Sequence, residues 1–166
     1  MKIKQARILF VLIVLAIDVL LYLSCGLLPA QVAANFGSGG KVVAFNQRET
    51  YCAITTGIGI MLPIIVYILI ALLPRINERF IVLPHREYWL TLERRASTLF
   101  WLEKFALTIA ALISVFWFAL HMVNFRASIL QPPHYEFWTR LLLLLAWLIF
   151  IAAAGIVYSK HFLRIK

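Results

Sequence analysis

Four long apolar stretches, separated by polar segments, dominate the pattern of this 166-residue chain. They cover about residues 8–28, 51–73, 99–123 and 138–158. Each is close to the roughly 20 residues with which an α-helix crosses about 30 Å of hydrocarbon. Most of each stretch also lacks the polar face that a soluble amphipathic helix shows. The pattern therefore predicts an all-α fold: a single-domain, integral membrane four-helix bundle.

Composition supports the same class of protein. Hydrophobic residues make up 63% of the chain, charged residues 14%, and the mean hydropathy is +0.91. Soluble domains carry about 25% charged residues. The net charge of +9 would suggest nucleic-acid binding in a soluble protein, but here the basic residues lie between the apolar stretches. We therefore expect contact with membrane lipid, including anionic headgroups, and no nucleic-acid partner.

The distribution of Lys and Arg predicts the orientation. Twelve of these residues fall in or beside the N-terminus, the 74–98 loop and the C-terminal tail, and four fall on the other side, at Lys41, Arg48, Arg126 and Arg140. Because cytoplasmic loops carry the excess of positive charge, both termini and the 74–98 loop are predicted to be cytoplasmic and the 29–50 loop to lie outside. A thiol probe added from outside should reach Ser38 and not His85.

The outer segment contains the run LPAQVAANFGSGGKVVAFNQR. It resembles the LPxxVxxHF…G signature of a bacterial membrane-protein family of unknown function, a motif that also occurs in the sporulation-delay immunity proteins. The resemblance implies a multi-pass protein of the bacterial inner membrane. Asn35 replaces the family His, which removes a group for protonation or metal binding. The matching positions are Leu28, Pro29, Val32, Phe36 and Gly40, and Gly37, Gly39 and Gly40 are expected to form a turn.

The run LPHREYWLTLERR (Leu83 to Arg95) resembles a second block of the same family, PNxxYWLxPERR, with Leu92 in place of a Pro. Pro84 ends any helix that precedes it, and Thr91 can cap a helix that continues into the third span, with Glu93 in its first turn. We expect this segment to dock on the membrane surface or to recognise a partner protein. The residues assigned to that contact are His85, Arg86, Tyr88, Trp89, Glu93, Arg94 and Arg95.

Asp18 lies near the middle of the first span, where an ionised carboxylate costs roughly 2.5–3.5 kcal/mol. We therefore expect Asp18 to hydrogen-bond to a neighbouring helix or to contact a partner subunit; a proton or ion relay is the alternative. Thr108 and Lys104 lie at suitable depths for the hydrogen bond. Lys104, at the inner edge of the third span, is the second intramembrane polar residue.

Two cysteines, Cys25 and Cys52, are expected near the outer ends of adjacent helices, either as a disulfide or as buried thiols. His121, Met122 and His134 are side chains that copper accepts, but their spacing is uninformative, and we expect neither a metal nor another cofactor. The chain also has no HExxH, GxSxG or CxxC motif. Catalysis is therefore not expected.

These observations predict a non-catalytic inner-membrane protein that acts by protein–protein contact, as an accessory or stabilising subunit of a larger membrane complex. Small residues in the second and fourth spans, such as Gly57 and Gly155, offer surfaces for close helix packing. One alternative is an immunity or signalling protein like those of the sporulation-delay group. The other is a small ion or solute transporter that uses Asp18.

Overall fold

The computed structural model describes residues 2–37, 40–130, 133–134 and 137–163, and most of these residues are helical. Four helices of the described part are long and apolar enough to span a membrane. They are α1 (Ile3–Cys25), α2 (Arg48–Ile76), α4 (Leu92–Ile129) and α5 (Phe137–Phe162), and the short α3 (Arg86–Trp89) precedes α4. The four predicted spans fall within these helices, except that α1 ends at Cys25 rather than at Leu28.

The second helix continues through Pro74 to Ile76, beyond the predicted end of its span at residue 73. Pro63 lies inside α2, and a π-helical turn over Ile68–Leu72 precedes Pro74. Pro74 has no N–H to donate, so it needs a local departure from the regular α-helical bonding pattern. With Pro74 in the first turn after the π segment, the helix reaches Ile76.

The third long helix, α4, is unbroken over 38 residues. At 1.5 Å per residue it is about 57 Å long, well beyond the thickness of a hydrocarbon core. It begins directly after Thr91 with Glu93 in its first turn, as predicted. The Thr91 side chain, however, makes no capping bond; its hydroxyl donates to the carbonyl of Tyr88 at 3.4 Å.

The 29–50 segment is not a plain loop, and the all-α prediction is wrong there. It contains an antiparallel hairpin of β1 (Gln31–Phe36) and β2 (Val42–Gln47). Gly40, with φ 77°, lies in the connection, where the Gly37 amide donates to the Lys41 carbonyl at 2.8 Å. The end of the bundle that carries this hairpin is called the hairpin end below, and the opposite end, with residues 77–91, the loop end.

Three of the four long helices form the core. Every fourth residue of the first part of α4 is buried, and the positions near its middle are small, which allows close helix packing; these residues are Thr98, Leu102, Ala106, Ala110 and Ser114. Phe10 and Val14 of α1 pack against this face. In contrast, no residue in the most apolar part of α5 is buried. The four-helix bundle is therefore a three-helix core with a peripheral fourth helix.

Candidate functional site

Asp18 lies inside the three-helix core with 7% of its surface exposed. A Cβ atom built on Gly59 of α2 would stand 2.6 Å from Oδ1 of Asp18 and 3.4 Å from Cδ1 of Trp117 on α4. Asp18 thus faces neighbouring helices, as predicted, and the missing side chain at Gly59 makes room for its carboxyl group. The predicted hydrogen bond is absent: neither carboxyl oxygen has a partner among the described residues.

The two residues proposed as partners of Asp18 lie elsewhere. Lys104 is exposed, and its Nζ is 4.5 Å from the centroid of the Phe100 ring. The hydroxyl of Thr108 donates to the Lys104 carbonyl at 3.0 Å. Both residues occupy exposed positions of α4, whereas Leu107 and Ala110 are buried. Both residues also lie nearer the loop end than Asp18, since Glu103, beside Lys104, pairs with Arg7 of α1, whereas Trp117 lies near Asp18. Neither their depth nor their face of the helix was predicted correctly.

A buried histidine joins the three core helices at the hairpin end. His121 of α4 is 2% exposed, and both of its ring nitrogens have partners. Nε2 lies 2.7 Å from the hydroxyl of Ser24 on α1, and Nδ1 lies 3.0 Å from the hydroxyl of Tyr51 on α2. These contacts use the ring to hold helices together. Within the described residues, no group of three or more His, Cys, Asp or Glu side chains is arranged to hold a metal ion.

A disulfide lies beside this histidine. Cys25 at the end of α1 is bonded to Cys52 in the first turns of α2, with their Cα atoms 5.9 Å apart. This resolves the choice between a disulfide and two thiols that the sequence left open. The bond encloses the hairpin, whose β1 residue Val32 packs into the same buried cluster with Tyr51. The hairpin end is therefore cross-linked covalently as well as by hydrogen bonds.

A cavity of about 250 Å³ opens between α2, α4 and the hairpin. Its outer part includes the amides of Asn46 and Asn124, and Tyr51 and His121 lie on its wall. Thr55 and Trp117 also line it, and the indole Nε1 of Trp117 donates to the Thr55 carbonyl at 2.9 Å. Trp117 also lies next to Gly59, so its ring extends from the wall of this cavity toward Asp18.

A buried carboxylate with two ion-pair partners holds the loop end together. Glu103 of α4 is 1% exposed and accepts bonds from three side chains. Nε of Arg7 on α1 lies 2.5 Å from Oε1, and the hydroxyl of Tyr67 on α2 donates to the same oxygen at 3.1 Å. Arg75, near the end of α2, pairs with Oε2. One carboxylate thus joins three helices. Arg7 and Arg75, which were counted among the basic residues that predict the orientation, are therefore also ion-pair partners inside the protein.

The 83–95 segment docks on the ends of helices rather than lying free at a membrane surface. The indole Nε1 of Trp89 donates to the carbonyl of Phe162 at 2.9 Å, and its ring stacks on His161 with centroids 5.7 Å apart. Thr98 of α4 donates to the Trp89 carbonyl at 2.9 Å. The ring and N–H of Trp89 therefore fix this segment to α5, and contact of Trp89 with lipid or a partner stays a prediction.

The charged residues of that segment point outward. His85 adopts a left-handed backbone conformation, with φ 53°, and starts α3. The guanidinium carbon of Arg94 lies 3.8 Å from the centroid of the Tyr88 ring, a cation–π contact. The charged or titratable residues of the segment that are exposed are His85, Arg86, Glu87, Glu93 and Arg95. Binding of lipid or a partner by these residues stays a prediction.

The residues that carry the outer motif belong to the hairpin. Val32 is fully buried, and the amide of its neighbour Ala33 donates to the hydroxyl of Ser128 on α4 at 3.1 Å. Pro29 and Asn35 are exposed, and Asn35 pairs with Ala44 across the strands. Phe36 ends β1, and Gly40 lies in the turn. The motif therefore builds a small sheet that packs on α4.

Comparison with known proteins adds no identification: no family model, no curated protein and no solved structure matches this chain. The resemblance to the LPxxVxxHF family stays a prediction.

Three features of the site were not predicted, although two had a signal. The runs QVAANF and VVAFNQ flank five residues that include glycines, a pattern typical of a hairpin. Glu103, at the edge of an apolar span on the side rich in Arg, indicated an ion pair. The hydrogen bonds of His121 with Ser24 and Tyr51 had no such signal, because each of these residue types is common near the end of a span.

Proposed function

We propose that this chain is a non-catalytic, multi-pass protein of the bacterial inner membrane that acts by binding a partner membrane protein through α5. It would serve as an accessory or stabilising subunit of a larger complex. The polar clusters support a structural assignment, since Glu103 and His121 each join three helices. The surface of the protein, rather than a reaction centre, is then where its function resides.

The proposed orientation has the loop end in the cytoplasm and the hairpin end outside. Two independent features support it. Lys and Arg residues are concentrated in the segments of the loop end. The disulfide between Cys25 and Cys52 lies at the hairpin end, and disulfides persist in oxidising compartments such as the periplasm.

Thiol labelling of intact cells tests this orientation. Ser38 lies outside the described residues, so Lys41, which is exposed in the hairpin, is the better position for a probe. An impermeant thiol reagent should label Lys41→Cys and leave His85→Cys unlabelled until the membrane is opened. Labelling of His85→Cys alone would reverse the topology.

The observation that carries the partner-binding proposal is the unburied state of α5. None of the most apolar part of this helix is buried, compared with 33% of the corresponding part of α1 and 28% of that of α4. Its attachment to α4 includes the ring stack of Phe116 on Trp147, with centroids 4.3 Å apart, and the aromatic contacts near its last turn. Its remaining surface is available to another chain.

The partner we infer is a transmembrane helix with small residues on its contacting face. A shallow groove lies on α5 between Ala152, Gly155, Ile156 and Ser159. A Cβ atom added to Gly155 would meet nothing within 4 Å, so the backbone itself is accessible there. In lipid, helix association depends on close backbone approach, because apolar burial between helices gains little over contact with lipid chains. Lys160 at the edge of the groove suits an acidic or headgroup contact at the interface.

Two matched glycine variants test this proposal. Gly155→Leu would fill the groove, and Gly57→Leu adds the same bulk to α2, where a Cβ also meets nothing within 4 Å. The protein should be extracted in mild detergent and its stoichiometric partner quantified by mass spectrometry. We expect Gly155→Leu to reduce the recovered partner at least tenfold and Gly57→Leu to leave it unchanged. Equal recovery with both variants, at equal protein levels, would contradict the role of α5.

A toxin-neutralising role, as in the sporulation-delay immunity proteins, is a form of the same proposal in which the partner is the toxin. A role as a small ion or solute transporter rests on Asp18. The apolar cluster that includes Phe10, Val14 and Leu107 lies between Asp18 and the loop end, which favours the partner-binding role over a continuous path.

A further inference from the structure

Asp18 is a buried acid whose surroundings favour its neutral form. Both carboxyl oxygens lack a hydrogen-bond partner among the described residues, and the nearest groups on that side are Gly59, Leu21 and Trp117. A carboxylate buried without a partner is unfavourable, whereas a carboxylic acid is tolerated far better. Tyr22 lies one turn from Asp18 on α1, but 72% of its surface is exposed. The other titratable and charged groups of the three packed helices lie toward the two ends; they include Arg7, Tyr67, Arg75, Glu103 and Lys104 toward the loop end, and Arg48, Glu49, Tyr51 and His121 toward the hairpin end.

The distance to these groups is substantial. Ser24, which contacts His121, is six residues from Asp18 on α1, an axial separation of about 9 Å. Glu103 is already paired with Arg7 and Arg75. Neither cluster therefore supplies a counter-charge to Asp18.

Access to Asp18 differs between its two sides. Toward the hairpin end lies the 250 Å³ cavity, which is large enough for several water molecules and is lined by hydrogen-bonding groups of Asn46, Thr55 and Asn124. Trp117, which lines this cavity, also lies 3.4 Å from the Cβ position of Gly59, beside the carboxyl group. Toward the loop end, Phe10 and Val14 belong to a buried apolar cluster between α1 and α4, and the groove of about 370 Å³ beside this cluster is lined mainly by apolar side chains.

We propose that Asp18 is a proton-binding site that is occupied in the folded protein and is loaded and emptied from the hairpin end through this cavity. On release, a water molecule enters from the cavity past Trp117, the O–H bond of the carboxyl group breaks, this water takes the proton back to the cavity, and a carboxylate remains. Because the loop-end side is closed, the site senses protons on one side and does not conduct them. The inference does not rest on the partner-binding role of α5.

The sequence provides a test that needs no substitution at the site. Asp18 is the only aspartate of the chain; the other acidic residues are glutamates. Cell-free synthesis with aspartate labelled by 13C at its side-chain carboxyl therefore labels one site of the native protein. Solid-state NMR and infrared spectra in lipid bilayers at pH 7 should show a neutral carboxyl group. A carboxylate signal at this pH would overturn the proposal, as would a sodium-dependent change that identifies a cation site.

The route is tested by blocking the cavity in the same labelled protein. Leu120→Cys, at an apolar position of the cavity wall, modified with a sulfonated thiol reagent, should slow hydrogen–deuterium exchange of the neutral carboxyl group at least tenfold. The unmodified Leu120→Cys protein is the matched control and should exchange like the native chain. Exchange that is equally fast after modification would show that protons reach Asp18 by another route and would overturn the proposed access. Failure of the Gly155→Leu test would leave both of these results unaffected.

Discussion

Replacing Glu103 by Gln tests whether one buried carboxylate holds the loop end together. The substitution keeps the shape of the side chain and one acceptor oxygen but removes the charge that Arg7 and Arg75 share. Hydrogen bonds to charged groups contribute about 1.5–3 kcal/mol each. The Arg7 and Arg75 side chains are 48% and 33% exposed, so solvent screening reduces the loss. We expect Glu103→Gln to lower the free energy of unfolding by about 2–3 kcal/mol.

The assay is reversible unfolding in mixed micelles with an increasing fraction of denaturing detergent, followed by circular dichroism. Lys104→Gln is the matched control, since it changes the charge of the adjacent residue, whose nitrogen lies over the Phe100 ring instead of in the Glu103 cluster. Its expected cost is below about 1 kcal/mol. If Glu103→Gln costs no more than Lys104→Gln, the carboxylate does not join the three helices in the way described.

Two further substitutions and the reduction of the disulfide probe the other contacts. Gly59→Ala should lower the free energy of unfolding by about 1–3 kcal/mol, because its Cβ would stand 2.6 Å from Asp18. Gly57→Ala adds the same methyl group in open space and should leave the stability unchanged. Equal unfolding midpoints for the two variants would contradict this prediction. The Cys25–Cys52 bond closes a loop with a sequence separation of 27, so its reduction should lower the free energy of unfolding by about 3 kcal/mol. Reactive thiols in the unreduced protein would show that the disulfide is not formed. Trp89→Phe keeps an aromatic side chain but loses the hydrogen bond from the indole N–H to the Phe162 carbonyl, which contributes about 1 kcal/mol. Proteolysis of the 77–91 segment should therefore be faster in this variant. Unchanged cleavage would exclude the docking role of Trp89.

The long helices were predictable because they depend on a property summed over many residues. Some 20 consecutive apolar side chains identify a span whatever its neighbours are. The start of α4 after Thr91 was predictable for a related reason, since Pro84 and Glu93 carry local signals. The short hairpin was missed because its strands, Gln31–Phe36 and Val42–Gln47, contain polar residues and are held partly by α4.

The candidate site was harder to predict, because it depends on which face of each helix is buried. The sequence placed Asp18 near the middle of its span, but a helix of apolar residues has no polar face from which to read its rotation. Lys104 proved to be exposed, while its neighbour Glu103 is buried. Trp89 was assigned to the membrane interface on residue type alone; its bond to Phe162 joins positions 73 residues apart, which local pattern cannot reveal.

The most direct test of the partner-binding account is photo-crosslinking from α5 in living cells. A photoreactive amino acid should replace Ile156, which is exposed beside the groove, and in a parallel variant Met61, which is similarly exposed on α2. The account predicts one protein adduct of constant mass from position 156, which is lost when Gly155→Leu is added, and only lipid adducts from position 61. Lipid adducts alone from position 156, in a protein that is folded and inserted, would contradict the account.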